Sequence, residues 1–491
     1  MQEHAESRSV EDPDRVGLNA EHSRAEHALE QIRAATAGTD LEGHIYLVGG
    51  ALRDEALGVP HGADLDLVLE GDAVALAKQL YDAGLSSHYP VLYPRFGTAM
   101  IHILTPASSE GGGVDVELVT ARSESYHPDS RKPEVQAGSL REDIYRRDFT
   151  INTLARKLHT GELLDMTGLA LSDVKAGLIR TPVEPRVTFF DDPLRMLRAI
   201  RFASRFSFTI EEKTWLSICA EAERLRPPTI AMERIREEFN KIAVLPGKRF
   251  RAGMDLLLHS GLLERFLPEM LPMQGCTQGA WHAHDVWDHT LTALESLPDD
   301  APLELRLALL WHDVGKPYTR TEDDRGVHFF GHPAVGAELT RVMMNRLKYS
   351  NDEIRDTVAM VNLHMRLGDY RDQWDDPAVR RLIRDIHPWM DGLFSLTECD
   401  RSAVDIPEGI SCDLNAIRAR MDALMSAVTI DSPLNGRQIM LILGTGEGPH
   451  LRDAKEYLVN EVIDGRLGRD DTSAAEQMIV AWWKSKLENR E

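Results

Sequence analysis

The sequence predicts an α+β protein, with a small mixed-sheet head followed by segments that are helical throughout. Three observations carry this. In residues 46–68, YLVGGALRDEALGVPHGADLDLV, an apolar run, a Gly-Gly pair, a helical stretch and an alternating acidic and apolar run follow one another. Two further strand-like runs, 98–104 and 114–119, are separated by the triple glycine 111–113. From residue 189 onward the segments have helical character, and 491 residues are enough for roughly three or four units of structure.

The first 25 residues are polar and acidic, with no apolar core of a leader peptide, and are expected to be disordered. An amphipathic helix is expected at 23–35. Tyr46, Leu47 and Val48 suit a buried strand, and Gly49-Gly50 lets the backbone turn sharply against a ligand. A helix opening at Ala51 directs backbone N–H groups at that turn, and Arg53 adds a cation in its first turn, a combination suited to phosphate. In the strand 63–68, Asp64 and Asp66 share one side while Leu65 and Leu67 take the other. Two such carboxylates can share Mg²⁺ with a triphosphate. Helical spacing returns at 71–83. Asp115 and Glu117 then share a face of the strand 114–119, and either can supply a third carboxylate. Residues 121–142, rich in Arg, Ser and Pro, read as a mobile loop ahead of Arg146-Arg147-Asp148-Phe149-Thr150-Ile151-Asn152, where Arg147, Asp148 and Asn152 offer donors and acceptors for a ribose and a phosphate.

A helix is expected to start within FFDDPLR, residues 189–195, on its acidic residues and Pro193, with Arg195, Arg198, Arg201 and Arg205 along one face. Helices follow at 211–225, 231–244 and 248–258, and the basic run 248–251 is a candidate nucleic-acid contact. From residue 281 the composition changes. His289, His312, Asp313, His332, His364 and Asp400 appear in turn, with His312-Asp313 at the end of the apolar helix LRLALLW. Such a set can hold one or two divalent ions for hydrolysis.

LVGGALRD, DLD, RRDFTIN and DDPLRMLRAIRF, in this order, resemble the class II tRNA nucleotidyltransferases, whose head is of the DNA polymerase beta type and is shared with bacterial poly(A) polymerases. The segments DVWDHTL, WHDVGKP and FGHPAVGAEL resemble the HD superfamily of metal-dependent phosphohydrolases. The first resemblance implies template-independent addition of CCA to tRNA from CTP and ATP, with Asp64 and Asp66 catalytic on Mg²⁺; of the two candidates on the strand 114–119, Asp115 is taken as the third catalytic residue. Gly49, Gly50 and Arg53 would cradle the triphosphate, Arg147, Asp148 and Asn152 the ribose side, and Asp192 and Arg195 would read the base, with Arg198 of the same helix also binding the nucleotide. The second implies hydrolysis of phosphomonoesters and 2′,3′-cyclic phosphates at a divalent metal whose identity is open. Glu233 to Glu238 matches a family motif and is taken as support for the base-reading helix. Residues 126–136 fill the place of a flexible loop that enzymes adding only CC lack. A-only addition is the nearest alternative, and an RNA-end phosphohydrolase whose head only binds RNA is the alternative of another class.

These readings divide the chain into a head at 26–160, a helical neck and body at 161–272, an HD domain at 273–425 and a helical tail at 426–491. The net charge of −23 argues against broad attraction to nucleic acid or anionic membrane and leaves room for a local basic patch. No apolar run approaches the roughly 20 residues of a membrane span. Four scattered cysteines without Cys-x-x-Cys spacing fit a reducing cytoplasm and offer no zinc site.

Overall fold

The computed structural model describes residues 13–59, 65–105, 113–125, 134–279, 284–368, 370–371, 373–404, 413–425 and 432–488. Asp64 lies outside them, as does most of the loop 126–136. The chain forms two compact units, residues 1–245 with 252–268, and residues 246–251 with 269–491.

In the first unit the elements run α1 (Pro13–Thr36), β1 (Ile45–Val48), α2 (Gly50–Leu57), β2 (Leu65–Leu69), α3 (Ala73–Asp82), β3 (Val91–Tyr93), β4 (Thr98–Leu104), β5 (Gly113–Thr120), β6 (Arg122–Ser125) and β7 (Glu134–Ala137). Then come α4 (Leu140–Tyr145), β8 (Leu154–Lys157), β9 (Leu163–Asp165), α5 (Ala170–Ala176), α6 (Pro185–Asp191), α7 (Leu194–Phe206), α8 (Glu212–Glu221) and α9 (Met232–Ala243). Seven strands form one sheet in the order β3-β4-β5-β2-β1-β8-β9. It is mixed because β2 and β5 pair in parallel while their neighbours pair antiparallel.

The alternation read in the sequence sets the two faces. Leu65 and Leu67 join Ile101, Ile103, Val116 and Leu118 in a core closed by Ala28 and Ile32 of α1 and Leu76 and Leu80 of α3. Burying such side chains contributes about 1.5–3 kcal/mol each, which pins the register and so sends Asp66 to the other face. Part of that other face packs on α4 through Val48, Val68, Leu140 and Ile144. The remainder, over β3 to β5, is open.

Three expectations change. α1 begins at Pro13, so the stretch expected to be disordered to residue 25 is helical from there. The supposed loop 121–142 contains the antiparallel pair β6 and β7 and the start of α4. Two short polar strands carry no apolar alternation to reveal them. The start of α4 did have a signal, since Ser139 and Glu142 form a capping box. Third, Phe189, Phe190 and Asp191 close α6, and the arginine helix α7 starts only at Leu194. Asp192 is extended between the two, where Pro193 disfavours helical geometry in the residue before it.

In the second unit, the helices Val286–Leu294, Leu303–Trp311, His332–Arg346, Asn351–Leu363 and Met390–Ser402 surround a polar centre. Helices Gly436–Leu443, Pro449–Ile463 and Thr472–Glu488 share a core of Leu434, Ile439, Leu458 and Ile479. Gln438 closes a capping box with Asn435 at the start of the first of these. No described helix is long and apolar enough to cross a membrane.

Candidate active site in the head and a candidate metal centre

Gly49 joins β1 to α2 at φ 84°, a conformation open to glycine, and a Cβ there would meet Asp66 Oδ2 at 2.7 Å. The missing side chain is therefore what lets Asp66 sit against the turn. Asp66 pairs in register with Glu117 on β5, so these two carboxylates stand side by side on the open face. Burial, followed by the charge of Asp66, raises the Glu117 carboxyl above its ordinary value. Two acidic groups held together this way form a donor set that a divalent cation fits, because it removes their repulsion. Asp115 is one register step further on, exposed and 2.7 Å from His102 Nδ1. Glu117 thus takes the place beside Asp66 that was expected for Asp115. Only register, which needs the sheet, separates the two.

Gly49, Gly50, Arg53, Asp66, Arg147, Asp148, Asn152, Asp192, Arg195 and Arg198 all line one cavity of about 480 Å³. Its polar wall is a connected chain. Arg53 is buried, donates to Asp54 Oδ1 at 2.8 Å and to Asn152 Oδ1 at 2.7 Å, and lies over the Phe206 ring. Asn152 donates to Asp148 Oδ1 at 2.9 Å, and Arg198 Nε donates to Asp148 Oδ2 at 2.8 Å. Glu238 accepts from Arg201 Nε at 2.6 Å and lies 3.7 Å from Arg198. Burial alone would raise Asp148, but Arg198 and the Asn152 bond outweigh it and hold the carboxylate below its usual range. Arg147 is braced on Asp143 at 3.1 Å. Asp148 is thereby occupied in fixing Arg198 and Asn152.

At the other end of the cavity, Asp192 accepts from Leu194 N at 3.0 Å and pairs with Arg234 at 3.0 Å. Arg195 donates to the carbonyls of Arg146 at 2.7 Å and Thr188 at 3.4 Å, which fixes its guanidinium plane. Of the four arginines expected on one face, Arg201 is buried against Glu238. The stripe thus faces protein along part of its length.

In the second unit the candidate ligands converge. His289, His312, Asp313 and Asp400 form one group within 4.8 Å, and Asp313, His332 and His364 form another, with Asp313 common to both. His312, His332 and His364 each place Nδ1 on a backbone carbonyl, of Leu309, Phe329 and Val361, at 2.7, 2.9 and 2.7 Å. These bonds turn Nε2 of each ring inward, and His332 Nε2 lies 3.2 Å from His364 Nε2. His312 Nε2 is buried and makes no hydrogen bond, although Asp313 Oδ2 is 3.2 Å away and Asp400 Oδ1 3.4 Å. An inward nitrogen among carboxylates fits a metal ligand. Burial lowers His312, yet the two carboxylates outweigh it and lift the imidazole to about 10; His364, buried beside it, falls to about 4.

Residues 45–180 match the poly A polymerase head domain, residues 207–273 the probable RNA and SrmB-binding site of polymerase A, and residues 281–387 the HD domain. The chain is 34% identical over 352 residues to the A-adding tRNA nucleotidyltransferase of Deinococcus radiodurans, covering 69% of this chain and 78% of that one. It is 31% identical over 361 residues to the CC-adding tRNA nucleotidyltransferase of Thermus thermophilus, covering 72% and 79%. The chain belongs to the tRNA nucleotidyltransferase family. In fold it resembles the Bacillus stearothermophilus CCA-adding enzyme solved with CTP, at a TM-score of 0.63, 22% identity and coverage of 95% and 98%.

Sequence reasoning missed several residues of this tRNA nucleotidyltransferase. Arg234, Glu237 and Glu238, in the motif taken as support only, line the cavity itself, as does Phe202. Their signal was charge at helical spacing, which marks solvated faces just as well. Lys316, in the segment WHDVGKP but not named as a site residue, places Nζ 2.6 Å from Asp313 Oδ2. Of the basic run 248–251, Arg251 is tied to Glu295 at 3.0 Å, which argues against a free phosphate contact there.

Proposed function

We propose that this protein adds CCA to the 3′ end of tRNA, taking CTP and ATP without a template. The supporting observation is that Asp192 and Arg195, one acceptor and one donor, share a cavity with the phosphate-side residues Gly49, Gly50 and Arg53. Cytosine and adenine each present an amino donor beside a ring-nitrogen acceptor, whereas uracil and guanine present a carbonyl beside an N–H. One carboxylate and one guanidinium therefore suit both C and A and reject the other two bases. Such a reader favours addition of both nucleotides over A alone.

Asp66, with Asp64 and Glu117, would hold Mg²⁺, which supplies charge for the attacking and leaving oxygens. Glu117, beside Asp66 in the sheet and with a raised carboxyl, would take the proton of the tRNA 3′-hydroxyl. That oxygen bonds to the α-phosphorus, the bond to the bridging oxygen breaks, and pyrophosphate leaves. Arg53 would meet the phosphate charge and Arg147 the ribose side from positions already braced on Asn152 and Asp143, so little reorganisation accompanies the reaction. The test uses tRNA transcripts ending before CCA, after C and after CC, each with CTP, ATP or both. Ordered extension to CCA is expected; extension of the CC-ending transcript alone reassigns the enzyme to A addition, and no extension rejects the reading.

The cluster around Asp313 supports a second activity in the same chain, hydrolysis of phosphomonoesters or 2′,3′-cyclic phosphates at a divalent metal. Release of phosphate from a cyclic-phosphate substrate, stimulated by added metal, checks it.

A further inference from the structure

The open face of the sheet continues past the catalytic carboxylates into an apolar surface that the reaction as described does not use. Register sets out the row Asp66, Glu117, Met100, Val91 across β2, β5, β4 and β3, and beside it the row Val68, Val119, Thr98, Tyr93. Leu92, between Val91 and Tyr93, joins the buried core on the opposite side, so the two flanking residues face outward with Met100. Val91, Tyr93 and Met100 are 53, 49 and 45% exposed.

Two half-exposed side chains in line with Asp66, Met100 and Val91, and Tyr93 in the row beside them are costly to leave in water and fit the face of a nucleobase. The nucleotide cavity lies on the β1 side of Asp66, at Gly49, Gly50 and Asn152, and includes neither Glu117 nor Met100. In-line displacement requires the attacking hydroxyl to arrive away from the pyrophosphate. The sheet surface beyond Asp66 is β5, β4 and β3. With strands about 4.8 Å apart, Met100 stands about 10 Å and Val91 about 15 Å from Asp66, enough to seat a nucleotide as well as its hydroxyl. Arg95, exposed in the turn Pro94–Phe96 after Tyr93, supplies a cation for a phosphate.

We propose that this surface is the acceptor shelf: the last base of the tRNA 3′ end stacks on Tyr93 and packs over Met100 and Val91, which sets its hydroxyl against Glu117. The proposal rests on the nucleotidyl-transfer reading above. It is tested with the full-length protein and a tRNA transcript carrying 2-aminopurine as its 3′-terminal base. Wild type is expected to quench the fluorophore by stacking. Tyr93→Ala should lose the quenching and raise KM for the RNA about tenfold, the usual scale for one aromatic stack, with KM for CTP unchanged. Tyr93→Phe should restore both, which a purely structural role would not require. Unaltered quenching and RNA KM in Tyr93→Ala combined with Met100→Ser would overturn the shelf while wild-type extension left the proposed function standing. A wild type that extends no RNA would reject both. A concentration-dependent dimer lost in Tyr93→Ala, with RNA binding intact, would also overturn it by making the surface an interface between copies.

Discussion

Asp148 accepts from Asn152 and its own neighbour's backbone on one oxygen and from Arg198 on the other, so its removal leaves a guanidinium in the cavity wall without its partner. Asp148→Ala is expected to cost about 3 kcal/mol, the scale for breaking a buried ion pair, measured by urea denaturation. Its carboxyl and that of Glu238 are both held below their ordinary values, the latter because Arg201 and its neighbours outweigh burial. A lowered carboxylate stabilises the fold above its unfolded value near 4 and loses that contribution as pH falls through the folded one. The melting temperature should therefore drop below about pH 4, and Asp148→Asn should show a shallower drop. Gly49 acts through space it leaves empty. Gly49→Ala is expected to displace Asp66 and lower kcat by about 100-fold, the cost of a misplacement near 1 Å, and to lower the melting temperature as well, because φ 84° strains any L side chain. At the candidate metal centre, the two carboxylates outweigh burial and raise the His312 imidazole, so without metal it is expected to be protonated at neutral pH. Metal uptake should release that proton, visible as a buffer-dependent binding enthalpy in titration calorimetry.

At the scale of elements, caps and breaks decide where side chains point. The break between α6 and α7 keeps Asp192 extended, leaving its carboxyl to reach both Leu194 N and Arg234. α4, only one turn and a half long, depends on its capping box, and its Asp143 braces Arg147. Ser139→Ala should lower stability by about 1 kcal/mol, read by thermal melting, and raise KM for CTP through Arg147. Gln438 fills the same reciprocal role in the tail helix, which accounts for an amide there: it accepts from the Asn435 N–H while Asn435 Oδ1 accepts from its own.

For the whole molecule, two sites of different chemistry stand in separate compact units. Asp313→Ala is expected to abolish metal-stimulated phosphate release and leave tRNA extension intact, and Asp66→Asn to do the reverse; coupled loss in either variant would show that one site depends on the other. Much of this was legible in the chain itself. The Gly-Gly turn, the strand that carries Asp66 and the arginine helix lie close to where local pattern put them, because 2-residue and 3.6-residue periodicities are properties of contiguous sequence. Asp192 and Arg195 were nameable as base readers only through the resemblance of their segment to the class II tRNA nucleotidyltransferases. What the sequence by itself determined was the chemistry available to the protein. Only the tertiary structure decided which groups meet: that Glu117 stands beside Asp66 while Asp115 pairs with His102, that Arg234 reaches Asp192, and that an apolar surface runs on from the carboxylates. Those are questions of strand register and helix packing, and they are answered by contacts between residues far apart in the chain, each too weak to leave a mark on its own neighbours in sequence.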